Sequence, residues 1–142
     1  MESNKSLENA PSLIMWDVIQ NWLSVVKTWK PKDIANLYAT DAVLLGTVAL
    51  NVTQGREVIE TYFDGFVLKE PSGVINSIIF QTIGSKFGVA DGTYTFNLKN
   101  DEGKEPKRIN VDARFTFLID LETREIKTHH SSSTPKNKTT EI

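Results

Sequence analysis

The chain contains no cysteine. That single absence excludes disulfides, thiolate nucleophiles and cysteine-held zinc. A net charge of −2 leaves no basic surplus that would favour nucleic acid or an anionic membrane surface. No apolar run approaches the roughly 20 residues needed to cross a bilayer. The polar start of the chain lacks the basic-then-apolar layout of a secretory signal, so a cytoplasmic location is expected. There is no glycine-rich phosphate loop, no Ser-His-Asp order, no heptad pattern and no internal repeat. Histidine occurs only twice, as the adjacent pair His129 and His130.

What is present suits one globular domain. The chain has 142 residues, of which 39% are hydrophobic and 24% charged, enough to bury a core. Its first half has helical periodicity. Leu13, Trp16, Ile19, Leu23 and Val26 form one stripe, and Val18, Trp22, Val25 and Trp29 form a second beside it. The spacing predicts a broadly buried helix over residues 12–30, with Ser12 as its N-cap. A short helix follows Pro31, with Ile34, Leu37 and Tyr38 facing inward. Residues 42–45 read as a brief buried strand, with 47–52 as a hairpin partner. Thr53 is placed to cap a third helix over 54–68, whose apolar face is Val58, Ile59, Tyr62, Phe63 and Phe66.

The second half is strand-rich. Strands are expected at 74–83, 87–98 and 108–119, with a final one carrying the histidines. Gly84-Ser85 reads as a tight turn, and Asp91-Gly92 as a bulge that would bend the sheet. The whole describes an α+β fold: three N-terminal helices on a strongly bent antiparallel sheet, with a pocket between them. Residues 12–135 are expected to form the single domain, with flexible tails at 1–11 and 136–142.

Several segments resemble a known superfamily. The run Ile34-Ala35-Asn36-Leu37-Tyr38-Ala39-Thr40-Asp41-Ala42-Val43-Leu44 is similar to the second helix and first strand of nuclear transport factor 2-like (SnoaL-like) proteins. Gln54-Gly55-Arg56-Glu57-Val58-Ile59 is similar to the opening of their third helix. Ala113-Arg114-Phe115-Thr116-Phe117 and His129-His130-Ser131-Ser132 resemble one branch, the association (hub) domain of calcium/calmodulin-dependent protein kinase type II and its stand-alone bacterial relatives. The superfamily resemblance implies a cone-shaped, cystatin-like fold. The branch implies self-assembly and a pocket whose three arginines bind small carboxylates. The matching positions here hold Arg114, a residue near Thr93, and Ser131, so one arginine of three remains. The sequence carries no kinase catalytic segment, and kinase activity is not expected.

Each candidate residue has a plain reading and a functional one. Arg114 shares a strand face with Asp112, which suits an exposed ion pair of about 0–1 kcal/mol. With the resemblance, Arg114 is instead expected in the pocket as a carboxylate anchor. That placement would push Ile109, Val111, Phe115 and Phe117 to the outer face and so demand a partner subunit. Adjacent strand residues diverge, so His129 and His130 make a poor chelate, and no metal or other cofactor is expected. A regular strand puts His129 on the same face as Ser131; a bulge would exchange it for His130. Asp41 sits where some superfamily enzymes place an acid, although a helix-to-strand turn also favours aspartate. Tyr38, Tyr62, Tyr94 and Trp29 suit the core, with one or two hydroxyls reaching the cavity.

The leading expectation is therefore a small-ligand-binding, self-associating module without catalysis. The ligand would be a small molecule, a carboxylate among the candidates, bound near Arg114, Ser131, His129, Tyr38, Tyr62, Tyr94 and Trp29. A homodimer through the outer sheet face is expected, with larger rings by analogy alone. The competing expectation is a SnoaL-like isomerase, cyclase or dehydratase with Asp41, His129 or His130 as its base.

Overall fold

The computed structural model describes residues 10–100, 103 and 107–136. The tails expected to be flexible fall mostly outside the described residues, as does the middle of the charged loop between the last long strands. Helix α1 is Pro11–Val26. Pro11 takes the first helical position, where a missing N–H costs nothing, so Ala10 rather than Ser12 is the N-cap and no side chain caps the helix. Its core side is Ile14, Met15, Ile19, Trp22, Leu23 and Val26. Leu13, Trp16 and Trp29 remain more than a third exposed, so the buried face is narrower than the two stripes suggested. Helix α2 is Pro31–Ala35. Strand β1 is Tyr38–Leu45 and pairs with the two-residue β2, Thr53–Gln54. Residues 47–52 form no strand.

Helix α3 is Arg56–Phe66. Gly55 is its N-cap with φ of 99°, and Thr53 belongs to β2, donating its hydroxyl to the Leu44 carbonyl at 3.0 Å. Arg56 donates from Nε and Nη2 to the Tyr38 carbonyl at 3.0 and 2.8 Å, and also pairs with Glu125. This brace ties the start of α3 to the sheet. The meander follows: β3 Ser72–Ile83, β4 Phe87–Asn100, β5 Lys107–Asp120 and β6 Ile126–Ser133.

The molecule is α+β with a six-stranded sheet in the order β2-β1-β6-β5-β4-β3. As expected, the third helix follows the first strand and its short partner. One feature corrects the sequence reading. The sheet is mixed, because β6 returns alongside β1 in the same direction, Leu44 opposite His129. Four alternating meander strands starting at the far edge bring the last strand home parallel to the first.

The bulge was also expected in the wrong strand. β4 pairs with β5 without interruption from Phe87 to Asn100. The register slips in β3 instead, where Ile75 opposes Tyr94 but Ser77 opposes Thr93, leaving Asn76 as the extra residue. Gly92 serves this distortion from across the ladder. A Cβ there would lie 2.1 Å from the Ser77 carbonyl oxygen and 2.7 Å from the Phe115 ring. Only a glycine lets β3 come that close.

Candidate functional site

The inner face of the sheet is the one covered by helices. Tyr94, Phe96, Ala113, Phe115, Phe117, Ile119 and His129 lie on it and join Met15, Ile19, Trp22, Leu23, Phe63 and Phe66 in burial. Strand alternation then decides Arg114. With Phe115 and Phe117 buried, Arg114 must face outward, where it borders a shallow depression with Thr116, His130 and Ser132. The pocket placement of Arg114 is thus not what the structure has. Burying a Phe side chain is worth about 1.5–3 kcal/mol, and a guanidinium turned inward would bring a charge with no carboxylate to meet it.

The inner face carries one polar constellation, centred on His129. The His129 ring is 2% exposed and stacks on Phe117 with centroids 3.9 Å apart and planes 15° from parallel. Trp22 meets its edge at 5.1 Å. The Tyr38 hydroxyl is 2.8 Å from Nδ1 and the Tyr94 hydroxyl 3.2 Å from Nε2. Trp22 Nε1 donates to Tyr38 Oη at 3.0 Å, and Tyr94 donates to Ser131 Oγ at 2.6 Å. Ser131 Oγ lies 2.5 Å from the Thr47 hydroxyl, on the loop after β1. Among the described residues no buried side-chain polar atom lacks a partner.

Burial sets the electrostatics. Taking the imidazole out of water, with His130 as its neighbour, lowers the His129 pKa to about 3. Burial pushes the Tyr38 and Tyr94 phenols up, so both stay protonated. At neutral pH the constellation carries no charge.

The cavity beside it is lined by Trp22, Leu44, Gly46, Thr47, Tyr62, Phe63, Phe66, Tyr94, Phe96, His129 and Ser131. Its free volume is about 10 Å³, room for one water molecule. Tyr62 closes the mouth. Its ring lies against Gly46, where an added Cβ would come within 2.3 Å of it, and it stacks on Phe66 at 6.1 Å.

Four of the sequence-derived pocket residues therefore meet with Tyr62 at its edge: Tyr38, Tyr94, His129 and Ser131. Three candidates besides Arg114 lie elsewhere. Trp29 is 43% exposed and donates to the Pro71 carbonyl at 2.9 Å. Asp41 is at the surface, bonded to Lys127 Nζ at 2.6 Å, and this partner holds its carboxyl below the usual range. His130 is exposed on the outer face. Sequence reasoning missed Trp22 and Thr47 as site residues. Trp22 could have been found, since a buried indole N–H requires an acceptor; nothing local marks Thr47. Among the described residues no group of His, Asp and Glu could hold a metal ion, and no helix is long and apolar enough to cross a membrane.

The sequence profile of the calcium/calmodulin dependent protein kinase II association domain matches residues 14–135. The chain belongs to that association-domain family. Among solved structures, a candidate association domain of this kind from Xanthomonas campestris is 36% identical, with a TM-score of 0.80 over 88% of this chain and 89% of that one. A protein with a cystatin-like fold from Caulobacter vibrioides is 16% identical, with a TM-score of 0.72 over 89% and 91%. An epoxide hydrolase/cyclase-like enzyme with a role in pyran ring formation in the polyether salinomycin is 15% identical, with a TM-score of 0.68 over 84% and 90%. The latter two likenesses speak to the fold alone. No curated protein matches the chain.

Proposed function

We propose that the chain is a self-associating, small-ligand-binding module of the association-domain family and not an acid–base enzyme. The observation that carries this reading is the state of His129. A general base needs a free lone pair within reach of substrate, whereas both His129 nitrogens are engaged by tyrosine hydroxyls. Its conjugate acid is far too strong for it to hold a proton at neutral pH. The surrounding space is filled by aromatic rings, which suits a recognition pocket.

Self-association is read from the outer face of the sheet. Val74, Ile79 and Ile83 of the edge strand β3 are 61%, 69% and 56% exposed there, on the same face as Arg114 of β5 and His130 of β6. The apolar residues differ from those the sequence suggested, since Phe115 and Phe117 are inside. A dimer through this face would bury about 800 Å² per subunit, as standard specific interfaces do, with two-fold symmetry.

The enzyme reading keeps one supporting observation: a histidine and two tyrosines converge beside an apolar cavity. Two measurements decide. Light scattering coupled to size exclusion should give at least twice the 16.0 kDa of one chain; a monomer at micromolar concentration would overturn self-association. A thermal-shift screen with small aromatic compounds should show saturable stabilisation without turnover, and conversion of any of them would favour the enzyme.

A further inference from the structure

The hydrogen-bond chain around His129 has only one consistent direction. Trp22 Nε1 can only donate, so Tyr38 Oη accepts from it. The proton on Tyr38 then has one acceptor within reach, His129 Nδ1 at 2.8 Å. A neutral imidazole with a bare Nδ1 carries its hydrogen on Nε2, which faces Tyr94 Oη at 3.2 Å. Tyr94 donates to Ser131 at 2.6 Å, and the Ser131 proton then has the Thr47 hydroxyl oxygen, 2.5 Å away, as its one acceptor among the described hydrogen bonds. In the opposite direction the Tyr38 proton would point at nothing inside a fully buried site, which natural structures avoid. Every donor is thus consumed inside the chain except the last one, the Thr47 hydroxyl, at the partly exposed mouth of the cavity.

The walls specify the rest. Among the described lining residues none is charged, and Arg114 is on the other side of the sheet. A carboxylate entering here would be desolvated without a cation to meet it. The only aromatic wall residue that is not buried is Tyr62, and the remaining space holds no more than a water molecule. An entering ring must therefore take the place of the Tyr62 ring, between Phe66 and Gly46.

We propose that the pocket binds a small neutral aromatic molecule bearing a carbonyl oxygen, which accepts the Thr47 hydroxyl while its ring displaces Tyr62. This rests on the ligand-binding reading above and sets this chain apart from the carboxylate binding that the family resemblance implied. Solution NMR on the whole chain at neutral pH tests it with three one-ring probes: acetophenone, benzoate and ethylbenzene. Long-range ¹H–¹⁵N spectra should show His129 protonated at Nε2 alone. Acetophenone should shift the resonances of Gly46, Thr47 and Tyr62 and bind at least about tenfold more tightly than benzoate. Thr47→Val should weaken acetophenone roughly three- to tenfold, the worth of one hydrogen bond, and leave ethylbenzene unchanged, while Thr47→Ser should restore it. Benzoate binding as tightly as acetophenone, or His129 protonated at Nδ1, would overturn this inference and leave the ligand-binding reading standing. If none of the three binds, both fall.

Discussion

His129 and His130 are covalent neighbours on β6 and live in different solvents. The first is packed between Phe117 and Trp22 with both nitrogens satisfied; the second faces outward beside Arg114. The same division runs through the sheet. On the inner face, across β1, β6 and β4, the polar atoms belong to one directed chain of hydroxyls and an imidazole. On the outer face they pair locally across strands, Ser77 with Thr93 at 2.6 Å and Thr95 with Asp112 at 2.7 Å. A polar group inside must be satisfied by the fold itself, whereas one outside can always fall back on water. The inner set should therefore be costly to disturb and the outer set cheap.

Acid offers the largest test of that difference. The His129 pKa falls from the ordinary 6.5 to about 3 on folding, so the unfolded chain binds more protons than the folded one between those values. The stabilisation is present in full above about pH 6.5 and is lost progressively as pH falls to about 3. At about 1.4 kcal/mol per pH unit, the full span is roughly 5 kcal/mol. Denaturant melts between pH 7 and 5 isolate this histidine, because carboxylates of ordinary pKa titrate lower. Stability should drop by about 2 kcal/mol over that interval. A flat profile would mean that His129 is hydrated in the folded protein.

Replacement comes next in size. His129→Ala leaves a cavity and strips the Tyr38 hydroxyl of its acceptor, at a cost of about 3–5 kcal/mol. His130→Ala, one residue away, should stay within about 0.5 kcal/mol. Chemical denaturation of the two variants side by side reads the contrast directly. Equal losses would show that the outer face is as tightly built as the inner one.

Much of this division was legible in the sequence. Strand alternation in β5 and β6 already separated Phe115 and Phe117 from Arg114, and His129 with Ser131 from His130. Arg114 went astray because a family resemblance was set against that alternation, and burial of two phenylalanine rings outweighed it. The parallel β1–β6 pair and the bulge at Asn76 were not legible, since both arise from how distant strands meet. Asp91-Gly92 looked like a bulge because glycine in a strand marks either a bulge or a close approach, and sequence alone does not separate the two. Thr47 lay beyond reach for the same reason: its partner, Ser131, is 84 residues away.

Two glycines give the smallest and most discriminating test, because their signs should differ. Gly92 supports the inner packing: its added Cβ would meet a backbone oxygen of Ser77 at 2.1 Å, and backbone cannot swing aside as a side chain can. Gly92→Ala should therefore cost about 1–3 kcal/mol, as overpacking does. Gly65 lies exposed in α3 with nothing within 4 Å of the position its Cβ would take, and its φ is not in the left-handed region. Alanine there removes the conformational freedom that glycine brings to the unfolded chain. Gly65→Ala should raise stability by about 0.5–1 kcal/mol. Thermal melts resolve both shifts. A neutral Gly92→Ala would mean that β3 stands further from β4 than 2.1 Å implies, and would remove the reason for a glycine beside the bulge.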